Sequence, residues 1–124
     1  MTGAKLGKWS GWLSCWASMV VVLVGCGNDF NRKMGLSDLE NPNPSVRIMA
    51  IKWAGENKVS SAVPLLVDLL QDEDPSVRLY AIEGLRRITG TDHGYDYKAA
   101  ALHRATAVKR WRESLEQNES RNNE

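Results

Sequence analysis

One short loop carries side chains of the kinds that bind metals or transfer protons. Asp92, His93, Tyr95 and Asp96 lie close together in the chain, and carboxylates and imidazoles are common zinc ligands. The set lacks a fourth strong donor and its spacing fits no established metal motif, so we predict no metal site. Asp96 also suits the position just before a helix. A small-ligand, metal-binding or enzyme-accessory loop remains an alternative.

Arg47 and Arg78 are the second candidate, because they are separated by a repeat unit and could together hold an anion. The simpler interpretation is that each arginine pairs with a carboxylate of a turn, such as Asp72 or Asp74, and packs its stem between repeats. We favour the second interpretation and expect no anion site.

No other catalytic set is visible in the sequence. The chain has no glycine-rich phosphate loop, no nucleophile beside a base and no pair of acids at a meaningful spacing. We therefore predict that the protein is not an enzyme, has no catalytic residues and uses no cofactor. The charge is nearly balanced, with 16 Lys+Arg against 15 Asp+Glu. A balanced chain has no strong field to attract nucleic acid, so none is expected as a partner.

The first 25 residues have the layout of an export signal. Lys5 and Lys8 form a positive start, and no further charge follows until Asp29. The apolar segment ends in Leu23-Val24-Gly25-Cys26, which resembles the lipobox of bacterial lipoproteins. That resemblance implies cleavage after Gly25 and attachment of lipid to Cys26.

Two other interpretations of the leader remain open: an ordinary cleaved signal peptide, and an uncleaved membrane anchor. The segment from Trp9 to Gly27 is uncharged and close to the ~18 residues of a spanning helix, but serines dilute its first half. In the lipoprotein interpretation, residues 26–37 form a lipid-anchored tether. Gly27 replaces the aspartate that retains lipoproteins in the inner membrane, so the resemblance favours the periplasmic face of the outer membrane over the inner membrane.

The remainder of the chain is organised by an internal repeat. Asn43–Ile51 and Asp74–Ile82 carry the same pattern 31 residues apart, each with a capping residue followed by proline. Apolar residues recur at helical spacing after each start, and a third apolar segment lies between the copies. Its stripe is Ala62, Leu66, Leu69 and Leu70, with either Ser60 or Ser61 expected as its cap. The stripe of the second copy is Val77, Ala81, Leu85 and Ile88.

These patterns resemble HEAT repeats of the short, phycobilisome-lyase-type variety. The resemblance rests on Asp74-Pro75-x-Val77-Arg78-x-x-Ala81, on its first copy beginning at Asn43, and on Ala62-Val63-Pro64-x-Leu66. It implies an all-α fold: a short α-solenoid of HEAT-like helical hairpins. Leu36–Leu39 is expected to be the remnant of an earlier helix. Trp53 and Gly84 occupy equivalent positions, and we expect them to complement each other in the core rather than to form a binding pocket.

The C-terminal region is predicted to cap the solenoid. Gly90 is expected to end the second repeat helix in a left-handed conformation. A further helix is expected from Tyr97 to about Gln117, with its stripe at Ala101, Arg104, Val108, Trp111 and Leu115. Arg104 would then extend its stem past the core or pair with a turn carboxylate. Residues 38–117 would form the repeat domain and 118–124 a polar tail.

The sequence thus favours a non-catalytic scaffold or adaptor in the bacterial cell envelope. It would be anchored through lipid on Cys26 and would bind an unknown protein partner. A structural envelope lipoprotein is a further alternative. The identity of the partner and the oligomeric state are not encoded in any motif.

Overall fold

The computed structural model describes residues 33–124, and the leader, Cys26 and most of the tether lie outside the described residues. Within that range the chain forms four α-helices and no strand. Helix α1 spans Pro44–Glu56, α2 Val63–Leu69, α3 Pro75–Thr89 and α4 Ala101–Asn122. Two 3₁₀ helices, Leu36–Glu40 and Ser60–Ala62, precede α1 and α2. The predicted all-α class is confirmed.

The two copies of the repeated pattern begin their helices in the same way. The Asn43 side chain accepts a hydrogen bond of 2.9 Å from the Ser45 amide, and Asp74 accepts one of 2.7 Å from the Ser76 amide. Each cap satisfies an amide that has no partner within its helix. At the other end of α3, Gly90 has φ of 78°, the left-handed cap expected there.

Helix α2 begins differently from the prediction. Neither Ser60 nor Ser61 caps it with a side-chain hydrogen bond. Instead, the 3₁₀ turn Ser60–Ala62 continues directly into the helix. Pro64 lies at the second helical position, where its missing amide costs no hydrogen bond. The 3₁₀ turn supplies tighter backbone bonds in place of a side-chain cap.

The helices form two rows around one apolar core. Helices α1 and α3 pack side by side, α2 packs against α3, and Leu36–Glu40 packs against α1. Helix α4 extends the second row by packing against α2. This is the expected short solenoid with a C-terminal helix. Its largest fully buried side chains are Trp111, Leu39, Ile51, Leu66, Leu70, Ile82, Leu85, Val67, Val77 and Val108.

Two glycines allow α1 and α3 to approach closely. A Cβ atom added to Gly55 would lie 3.2 Å from the Cα of Gly84, and one added to Gly84 would lie 3.1 Å from a methyl group of Ile51. Gly84 is therefore a core position, as predicted. Its close neighbours are Gly55, Ile51 and Leu66, however, and not Trp53, which is partly buried elsewhere on α1.

The C-terminal helix starts later and ends later than the sequence suggests. Residues after Tyr95 first form a turn, in which the Asp96 side chain accepts a 2.9 Å bond from the Lys98 amide. Asp96 therefore caps this turn, and the predicted cap of α4 at Asp96 is wrong; the helix begins at Ala101 without a side-chain cap. Ala101 is exposed, whereas Ala107, Val108 and Trp111 are buried. Residues 118–122 continue the helix.

Candidate functional site

The loop of residues 91–96 attaches the end of α3 to α4. The Asp92 carboxylate accepts a 2.8 Å bond from the Gly94 amide and lies 3.0 Å from an Nη of Arg86. The Gly94 amide, and then Arg86, hold the pKa of Asp92 below its usual value, because both stabilise the charged form. The backbone carbonyl of Asp92 also accepts a 3.2 Å bond from the Trp111 indole.

The other three candidate residues of this loop make separate structural contacts. His93 contacts Trp111 edge to face, with ring centroids 4.4 Å apart. The Tyr95 hydroxyl donates a hydrogen bond to the Leu70 carbonyl at the end of α2, and Asp96 caps the turn that follows. The four side chains are therefore used in four different contacts, and residues 33–124 contain no group of three or more His, Cys, Asp or Glu residues placed to hold a metal ion.

Arg47 and Arg78 anchor the turns that precede their own helices. One Nη of Arg47 donates to the carbonyls of Asn41 and Pro42, and the equivalent Nη of Arg78 donates to those of Asp72 and Glu73. The acceptors are 31 residues apart, like the arginines, so the repeat is preserved down to its hydrogen bonds.

Only one arginine pairs with a carboxylate as predicted. The Nε and Nη2 of Arg47 lie 3.0 and 3.1 Å from the two oxygens of Asp72, which connects the first repeat to the second. The prediction was wrong for Arg78, whose acceptors are main-chain carbonyls. The residue 31 positions after Asp72 is His103, in α4. A third repeat would have placed a turn there, and its absence removes the carboxylate.

A recess on the outer side of the repeats lies between α1 and α3. This α1–α3 cleft has a volume of about 90 Å³ and is lined by Ile51, Lys52, Gly55, Tyr80, Glu83, Gly84 and Arg87. Gly55 and Gly84 line it at the point where the two helices approach each other closely. Tyr80 stands at its side with 37% of its surface exposed. From the sequence, core packing was preferred to a binding pocket at Gly84, and the cleft was not predicted.

A comparison of the two repeats would have indicated this surface. Three positions of the repeated pattern carry the same residue in both copies: valine at 46 and 77, arginine at 47 and 78, and alanine at 50 and 81. Outward positions differ in size or reverse their charge, as Met49 and Tyr80, Lys52 and Glu83, and Glu56 and Arg87 show. The outward residues therefore give each repeat its own surface.

A second, larger groove lies near the turn between α2 and α3. It has a volume of about 340 Å³ and is lined by Leu39, Glu40, Arg47, Leu65, Asp68, Leu69, Gln71, Asp72 and Glu73. Two of its acidic groups are already paired, Asp72 with Arg47 and Asp68 with Arg112. These contacts make the groove part of the framework that joins the repeats to α4.

The fold and its surfaces define a short helical-repeat domain. The chain belongs to the HEAT-repeat family, whose pattern matches residues 35–116. HEAT repeats commonly mediate contacts between proteins. No curated protein and no solved structure matches the chain. Within residues 33–124, no helix has both the length and the apolar character needed to cross a bilayer.

Proposed function

We propose that this protein is a non-catalytic interaction module of the bacterial cell envelope, anchored by lipid on Cys26. The HEAT repeats supply the interaction domain. The anchor would keep that domain outside the cytoplasm, with the periplasmic face of the outer membrane favoured. The partner would be another envelope protein.

The observation that carries the interaction proposal is the α1–α3 cleft. The recess has room for about one aliphatic side chain of a partner, and Tyr80 provides an aromatic wall. Aromatic residues beside desolvated recesses contribute much of the binding energy in protein interfaces. Lys52, Glu83 and Arg87 surround the recess and would select a partner by charge.

This interaction can be tested by site-specific photo-crosslinking in intact cells. A photoreactive amino acid at Tyr80 should yield one defined adduct, whereas the same probe at Leu102 should not. Leu102 is a suitable control because it is 77% exposed and lies on α4, away from the cleft. The charge reversal Glu83→Lys should abolish the Tyr80 adduct while leaving the helical circular-dichroism signal unchanged. Equal adducts from both positions would refute docking in the cleft.

The anchor rests on the leader and on Leu23-Val24-Gly25-Cys26. Cells labelled with a radioactive fatty acid should incorporate it into the wild-type protein and not into Cys26→Ala, which should accumulate as uncleaved precursor. Cys15→Ala is the matched control, because Cys15 lies in the segment that cleavage removes. Normal cleavage of Cys26→Ala to a soluble form would exclude the lipoprotein assignment while leaving the interaction proposal intact.

A purely structural lipoprotein predicts a different outcome. In that case, substitutions throughout the exposed surface, including Glu83→Lys, would leave the protein's abundance and its cellular effect unchanged. The interaction proposal requires the cleft to be more sensitive than α4.

A further inference from the structure

The side of α1 that faces away from α3 is an incompletely covered edge of the repeat array. Gly55 faces α3, since a Cβ there would touch Gly84. Trp53 lies two residues earlier, about 200° around the helix, and Val46 precedes Trp53 by two turns. Met49 lies beside them and is 55% exposed. Together, Val46, Met49 and Trp53 form what we call the open edge.

The second repeat shows what the open edge lacks. Val77, equivalent to Val46, is 0% exposed, and Gly84, equivalent to Trp53, is buried against α1. Val46 and Trp53 are each only partly buried. The difference arises because α3 has a preceding repeat helix at its side and α1 has none. Repeat arrays normally close such an end with a polar surface, and this edge instead presents a tryptophan and a methionine.

We propose that the open edge rests on the lipid surface to which Cys26 is attached. This inference depends on the lipid anchor proposed above. Met34, where the compact repeat unit begins, lies eight positions after Cys26, so the connecting chain spans at most about 29 Å. That span is close to the diameter of a domain of this size. The domain therefore remains beside the bilayer, and one of its faces must be the nearest to it.

The chemistry of the open edge suits the boundary between lipid headgroups and acyl chains. Tryptophan favours this boundary because its ring is apolar and its indole N–H is polar. Met49 adds an apolar side chain that is already more than half exposed. Lys58 is exposed on the turn after α1, and Glu56 is exposed at the end of the helix. Lysine stems can lie along the apolar layer while the ammonium groups reach the phosphates.

The position of the edge in the fold also favours lipid as its occupant. The chain enters the domain through Leu36–Glu40, which packs directly against α1. Among residues 33–124, the exposed apolar side chain of Leu102 belongs to α4, which packs against α2 at the C-terminal end. The end of the array nearest the tether is thus the one that carries Trp53.

Tryptophan fluorescence tests the proposal with a built-in reporter. After cleavage, the chain retains two tryptophans, Trp53 and Trp111, and Trp111 is only 1% exposed. The acylated protein should be purified from membranes and reconstituted into vesicles of phosphatidylethanolamine and phosphatidylglycerol. Lipids brominated near the headgroup should quench its emission. Trp53→Phe should lose this quenching, and Met49→Glu should reduce it.

Leu102→Glu is the matched control and should keep the full quenching, because it introduces the same charge at an exposed apolar position of α4. Absence of quenching in the acylated wild-type protein would overturn the proposal, as would quenching that survives Trp53→Phe or disappears only in Leu102→Glu. Shielding of Trp53 from both brominated lipid and aqueous acrylamide would assign the edge to a second protein surface and would equally overturn it. Mass spectrometry of Cys26 separates the failure of the lipid anchor from the failure of the membrane contact. An unmodified Cys26 would refute both proposals, whereas a lipid-modified Cys26 with Trp53 inaccessible to lipid would refute the membrane contact alone.

Discussion

The hydroxyl of Tyr95 offers the most direct test of how the C-terminal loop is attached to the repeats. Tyr95 is 3% exposed, and its hydroxyl donates a hydrogen bond to the Leu70 carbonyl at the end of α2. The substitution Tyr95→Phe removes one oxygen atom and leaves the ring in place. It therefore isolates the hydrogen bond from the packing of the ring.

The expected loss of stability follows from the burial of this contact. A buried carbonyl that loses its donor typically costs about 1–3 kcal/mol. In a domain of this size each kcal/mol lowers the melting temperature by about 4–8 °C. We therefore expect Tyr95→Phe to melt at least about 4 °C below the wild-type protein, with helical content unchanged at low temperature.

Thermal denaturation followed by circular dichroism measures this difference. Tyr80→Phe is the matched control, because Tyr80 is 37% exposed and belongs to the cleft surface. Its free energy of unfolding should lie within about 0.5 kcal/mol of the wild-type value, as is usual for surface substitutions. Equal melting temperatures for the two variants would refute the conclusion that Tyr95 fastens the loop to α2.

The same hydroxyl predicts a dependence on alkaline pH. Burial raises the pKa of Tyr95 above its ordinary value of 10.0, because the charged phenolate is poorly solvated there. The unfolded chain then loses this proton at lower pH than the folded chain. Stability is consequently retained below about pH 10 and lost as the pH rises through the folded-state pKa. Tyr95→Phe should show a smaller alkaline loss than wild type in urea titrations.

Three further predictions concern packing and charge. Gly55→Ala should destabilise the domain by about 1 kcal/mol despite its better helix propensity, because the new Cβ meets the backbone of Gly84 at 3.2 Å. Gly84→Ala should cost less stability, because its Cβ meets a side-chain methyl group of Ile51. The reverse order in urea denaturation would contradict this packing. Asp72→Ala should lower the free energy of unfolding by about 3 kcal/mol, since it leaves the largely buried Arg47 without its carboxylate. Asp74→Ala removes only a helix cap and should lower it by about 1 kcal/mol. Equal losses would show that the ion pair contributes no more than a cap does. Asp92→Asn should reduce the loss of stability in acid. The charged Asp92 carboxylate stabilises the fold at pH values above its ordinary pKa of 3.8, and this contribution disappears as the pH falls through the lowered pKa of the folded state. An unchanged dependence of stability on acidic pH would contradict this.

Local signals in the sequence were sufficient for the starts of α1 and α3 and for the end of α3. Asn43 and Asp74 cap α1 and α3, and Gly90 ends α3, because these residues satisfy backbone groups within a few positions of themselves. The same reasoning failed for Asp96. Its carboxylate can cap either a turn or a helix, and it caps a turn directly after Tyr95, whose hydroxyl is bonded to the Leu70 carbonyl at the end of α2. A distant contact decided between two local choices.

The candidate surfaces followed the same division. The sequence indicated that the residues of the 91–96 loop have ordinary roles, but their actual partners, Arg86, Trp111 and Leu70, are set by tertiary contacts. The α1–α3 cleft was missed because periodicity assigns Gly84 to the core and is silent about what lies above it. The cleft lies where α1 and α3 approach each other at Gly55 and Gly84, and that approach involves two different helices.

By itself, the sequence determined that the chain is helical and repeated, since helical spacing, caps and prolines act within one turn of the backbone. It also supplied the leader and Cys26, which stay predictions about location. The tertiary structure decided which residues face each other: the ion pair of Arg47 with Asp72, the contact of Gly55 with Gly84, and the incompletely covered side of α1 at Trp53. These features depend on how far one helix lies from the next, and no spacing within a single helix specifies that distance.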